Sequence, residues 1–121
     1  MMRVLVRNEA DATIIDCTGE VDLYSSPKLR EALLREMRGS KASVLLNLSG
    51  VSYIDSSGIA TLVEGLQLSQ RTQTRFGLYG LRNNARSVLE LARLTKVFAI
   101  FTDEQEALLK IASTQPFSGL V

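Results

Sequence analysis

Histidine is absent from all 121 residues. No imidazole is available as general base for a serine or cysteine nucleophile, and the common histidine-bearing zinc sites are excluded with it. The single cysteine, Cys17, rules out an intramolecular disulfide and reads as a small packed hydrophobe inside a strand. No apolar run reaches the ~20 residues of a membrane span. The opening MMRVLVRN breaks at Arg7 before it could form the core of a secretory signal. Charge of one sign is not in excess: 14 basic and 13 acidic residues leave a formal net charge of +1, so nothing points to nucleic acid or an anionic membrane surface. GxSxG and GxxxxGK patterns are missing, and GLYG is too short for a dinucleotide fingerprint. The expectation is a cytoplasmic protein without self-contained catalysis, metal or cofactor, and without direct insertion into a membrane.

What is present is ordinary globular composition, 45% hydrophobic and 22% charged, in a length that suits one domain. RVLVRNEADATIIDCTGEVD reads as two strands joined through the polar NEADA, the second running from Thr13 to Thr18 and ended by Gly19. SSPKLREALLREM opens a helix, with Ser26 as cap, Pro27 at the first helical position and Leu29, Ala32, Leu33 and Met37 on one face; Gly39 closes it. ASVLLNLSG is too short for a helix and reads as a strand buried on both faces. Ile59, Leu62, Val63 and Leu66 mark a second helix, RFGLYGL a strand, Ala85, Val88, Leu89 and Ala92 a third helix, and VFAIF a last strand. Thr102 and Gln105 suggest a capping box before a fourth helix through Ala107, Leu108 and Ile111. Alternating strands and helices after an opening hairpin predict an α/β domain over residues 1–113: a mixed sheet of about four to five strands with about four helices packed on it. Residues 114–121, with Pro116 and Gly119, are expected to be a flexible tail.

The chemistry concentrates in YIDSSGIA, Tyr53 to Ala60, where a strand gives way to a helix. Asp55, Ser56 and Ser57 are all residue types that cap the unpaired N–H groups of a helix start, and Gly58 permits a tight turn. The same geometry tolerates a phosphate, so a serine here could accept a phosphoryl group without unfolding its surroundings. The following helix is poor in charge beyond its apolar face: Thr61, Gly65 and Leu68 are uncharged, and Glu64 stands alone from Ile59 to Gln70. That face is either a docking surface, since interface centres are depleted in charge, or a packing surface of this same chain.

GEVDLYSSPKLREALL, then VLLNLSGVSYIDSSGIATLVEG, then LYGLRNNARSVLELARLTKVFAIFTDEQEAL together resemble a STAS domain, and more narrowly a bacterial anti-sigma factor antagonist. The resemblance covers residues 4–109, and IDSSGI is its most specific part. It implies that a partner that is both anti-sigma factor and serine kinase phosphorylates Ser56. It further implies that only the unphosphorylated form binds that partner and frees a sigma factor, and that a serine phosphatase resets the switch. Asp55, Ser57 and Gly58 then support the phosphosite, and Asp22 joins Thr61, Gly65 and Leu68 as partner-binding residues. The family often has a Ser-Gly-Leu element in the third-helix region, where this chain has Ala92, Arg93 and Leu94. Related domains also serve as non-catalytic subunits of lipid-transport ABC complexes or in stress-signalling scaffolds, which is the alternative reading.

Overall fold

A computed structural model describes residues 1–39 and 42–113. The expected flexible tail, 114–121, lies outside them. The element order is β1 (Arg3–Glu9), β2 (Ala12–Val21), α1 (Ser26–Met37), β3 (Ser43–Ile54), α2 (Ser56–Thr72), β4 (Arg75–Tyr79), α3 (Asn83–Leu91), β5 (Ala99–Phe101) and α4 (Glu104–Lys110), with a 3-10 turn over Ile111–Ser113. The strands form one five-stranded sheet in the order β1-β2-β3-β4-β5. β1 and β2 make an antiparallel hairpin, and the remaining pairs are parallel. The α/β fold with a mixed sheet and four helices is as the sequence predicts.

Strand alternation sorts the side chains between two cores. Ile15, Cys17, Val44, Leu46, Leu48, Phe76 and Leu78 face α1, α2 and α3, which cross between parallel strands on one side. Ile14, Leu45, Tyr79 and Phe101 face the other side, where Ala107 of α4 and Ile111 close a smaller core. Cys17 belongs to the larger core at 1% exposure, and burial pushes its thiol up to about 12, so it is unreactive.

Four local expectations change. Gly19 does not end β2; it sits inside it at φ +98° beside register shifts, and a Cβ there would meet the Met1 carbonyl oxygen at 2.5 Å. This is the role of a bulge glycine. Ser26 is inside α1 and buried, while Ser25 occupies the cap position. The Ser25 hydroxyl is drawn back instead to the Glu20 carbonyl, at 2.8 Å. The box at α4 forms one residue late: Asp103 accepts from the Glu106 N–H at 2.9 Å, and Glu106 accepts from the Thr102 N–H at 2.7 Å. Ala92 is the exposed cap of α3, and the next residue, Arg93, takes φ +60°. The Leu94 N–H then reaches the Leu89 carbonyl at 2.9 Å, closing a helix end at the position that favours glycine.

Candidate functional site

The parallel β2 and β3 end side by side, and the chain turns from each into a helix. The Asp55 N–H donates to the Val21 carbonyl at 3.1 Å, tying the start of α2 to the end of β2. The Asn84 side chain, in the first turn of α3, accepts from the Ile54 N–H at 2.7 Å. Two neighbouring segments therefore fix the backbone just ahead of Ser56.

Asp55 is the N-cap of α2. One carboxylate oxygen accepts from the N–H groups of Ser57 at 2.9 Å and Gly58 at 3.3 Å. Such a cap stabilises a helix by about 1 kcal/mol. Neither serine side chain supplies it. Ser56 is the first helical residue and exposed, while Ser57 is half-buried and its carbonyl accepts from the Thr61 hydroxyl at 3.1 Å. Gly58 is inside the helix, not at a tight turn: a Cβ there would lie 2.4 Å from Ile54 Cγ1 and 2.9 Å from Val21 Cγ1. Its missing side chain lets the helix start rest directly on the strand ends.

Asp22 organises the neighbouring loop. Its carboxylate accepts from the Ser25 N–H at 3.0 Å, the Ser25 hydroxyl at 3.1 Å and the Tyr24 N–H at 3.0 Å. Those bonds, from Ser25 first, hold it below the usual carboxylate range. The tight loop pushes Leu23 and Tyr24 outwards, 69% and 92% exposed, and Tyr53 adds a third exposed apolar side chain near Asp55. An open depression of about 430 Å³, lined by Met1, Met2, Glu20, Asp22, Tyr24 and Lys28 among others, lies along the same loop.

The other three expected surface residues are not on the surface. Thr61 and Leu68 are 5% and 8% exposed, and Gly65 is buried facing Leu33 of α1 and Phe76 of β4. Their lack of charge reflects packing within the chain. The outward stripe of α2 is instead Ser56, Ala60, Val63 and Gln67, of which Val63 is half-buried. It is also uncharged, and Glu64 beside it is paired with Arg30 of α1 at 2.6 Å. Sequence reasoning did not single out Leu23 and Tyr24; two large apolar residues between Asp22 and Ser25 were the available signal. Among the described residues, no group of three or more acidic or cysteine side chains is placed to hold a metal.

The STAS domain family model matches residues 3–107. An anti-sigma-B factor antagonist of Listeria monocytogenes is 32% identical over 102 residues, covering 81% of this chain and 88% of that protein. One from Staphylococcus aureus is 28% identical over 76 residues, covering 63% and 70%. The crystal structure of an anti-sigma factor antagonist from Mycobacterium paratuberculosis superposes with a TM-score of 0.85 at 21% identity, covering 93% of this chain and 95% of that one. The antagonist SpoIIAA in its unphosphorylated form gives 0.77 at 18% identity, covering 93% and 98%. The chain belongs to the STAS domain family and within it to the anti-sigma factor antagonists.

Proposed function

We propose that this chain is a phosphorylation-switched antagonist whose switch is Ser56. Unphosphorylated, it binds an anti-sigma factor that is also a serine kinase, and so releases a sigma factor. Phosphorylated, it lets that partner go, and a serine phosphatase restores it. The observation that carries this reading is the exposed Ser56 at a helix start that Asp55 caps and ties to Val21, on a chain whose flanking loop and strand end expose Leu23, Tyr24 and Tyr53. Asp55 already occupies the Ser57 and Gly58 N–H groups. A phosphate on Ser56 is therefore not drawn into the helix end. It faces outwards and adds a charge of about −1.5 to −2 to an apolar, charge-poor surface. Asp22 acts here by shaping the loop that presents Leu23 and Tyr24.

The test pairs the chain with its cognate serine-kinase anti-sigma factor and ATP. Mass spectrometry should find one phosphate, on Ser56. Calorimetry should show Ser56→Asp weakening the complex at least about tenfold, with the melting temperature unchanged. Phosphate at another position, or unchanged affinity of the variant, overturns the switch. A stable complex with a transporter ATPase, indifferent to Ser56→Asp, would support the constitutive-subunit reading instead.

A further inference from the structure

The two edges of the sheet are protected differently. β5 has three residues, and so short an edge offers little to pair with. β1, at the other edge, has seven, and among the described residues only its inner side is paired, to β2. Charge on an edge strand normally discourages pairing. Arg7 is withdrawn from that role, because its guanidinium is engaged by Asp16 and Glu104 and also meets Glu9 of its own strand at 3.3 Å. Leu5 and Val6 remain 70% and 40% exposed, on opposite faces of the strand.

The hairpin geometry limits how a second strand could add. The two-residue turn at Ala10 and Asp11 makes Glu9 and Ala12 the closing hydrogen-bonded pair. Val4, Val6 and Asn8 therefore direct their backbone N–H and C=O groups outwards. Two copies related by a two-fold axis pair antiparallel, with facing residues on the same side of the sheet. Centring on Leu5 would oppose Arg3 to Arg7 of the other copy. Centring on Val6 uses the whole strand. It sets each exposed Arg3 against the exposed Glu9 of the other copy, which would then bridge that Arg3 and its own Arg7, and lays Leu5 along the stem of Arg7. Opposed unlike charges favour a strand pair and like charges disfavour it. A groove of about 230 Å³ runs beside β1, lined by Val4, Val6, Lys28, Glu31, Ala32 and Arg35. Its charges are of both signs, which suits contact with its own symmetry copy.

We propose that β1 is a self-association edge: it pairs antiparallel with β1 of a second copy, centred on Val6, and joins two sheets into one. Ser56 follows β3, two strands in from this edge, so association and the proposed switch are separate properties.

Sedimentation velocity of the full chain across a concentration series tests this. The mass should rise from 13.3 kDa towards twice that value as concentration increases. Arg3→Glu alone should weaken association about tenfold, because symmetry turns two ion pairs into like-charge pairs at once; Glu9→Arg should weaken it at least as much, since it also replaces the Arg7–Glu9 pair of its own strand by two like charges. The double variant should restore it. Circular dichroism controls for folding, and both side chains are exposed. A wild-type chain that stays monomeric up to millimolar concentration overturns the proposal. So does a dimer insensitive to the single reversals, or a double variant as weak as either.

Discussion

Gly58 shows how a single missing side chain can set a functional geometry. Periodicity places it in a helix start, where glycine looks like a turn residue. The backbone is helical there, and the need is for space: Ile54 and Val21 carbons occupy the position a Cβ would take. Neither blocking carbon is the far end of a flexible side chain. Gly58→Ala must therefore push the first turn of α2 off the strand ends. We expect a loss of about 1–3 kcal/mol in denaturant unfolding, as for other overpacked sites. The displacement would carry Ser56 with it, so phosphorylation by the cognate kinase should slow as well. A stability equal to wild type would show that the helix does not rest on Ile54 and Val21 in solution.

At the scale of elements, α4 is held to the sheet by more than its apolar face. Arg7 on β1 bonds Asp16 on β2 at 2.7 Å and pairs with Glu104 at the start of α4; Tyr79 on β4 donates to Glu104 at 2.8 Å, and Asn47 on β3 donates to Asp16 at 2.8 Å. Arg7 is the first cause holding both carboxyl groups below their usual range. The unfolded chain thus binds protons on them at a higher pH than the folded one. The stabilisation is complete above about pH 4.5 and is lost as the pH falls through the depressed folded values. Arg7→Met keeps the stem and removes the charge. Its melting temperature should lie below wild type near neutrality, and the gap should close below about pH 4. Asp16, Glu104 and Glu9, the three acidic partners of Arg7, are partly exposed, so added salt should narrow the gap too. A gap that persists unchanged to pH 3 would mean that the contact is not ionic. Nothing in the sequence pointed to this cluster. Its five residues come from β1, β2, β3, β4 and α4, and only strand order and register bring them together.

For the whole molecule, the alternation of elements was legible because strands and helices differ in period and each has its own start and stop residues. The direction in which α2 faces was not. Its inner residues Thr61, Gly65 and Leu68 and its outer residues Ala60 and Gln67 are all uncharged, so no polar stripe marks the solvent side. Burial by α1, β4 and the strand ends spreads over a wide arc of the helix, and hydrophobic periodicity loses contrast there. The distinction can be measured directly. Leu68→Ala empties a site that is 8% exposed and should cost about 2–4 kcal/mol in unfolding, while the folded fraction binds the serine-kinase anti-sigma factor with unchanged affinity. Ala60→Glu keeps a good helix former on the exposed side and should leave stability within about 0.5 kcal/mol of wild type. It places a carboxylate one turn from Ser56, on the uncharged stripe, so it should weaken the complex much as Ser56→Asp does. The reverse pattern, with Leu68→Ala impairing binding at full stability and Ala60→Glu binding normally, would return the docking surface to the inner face of α2 and require the helix to move when the partner binds.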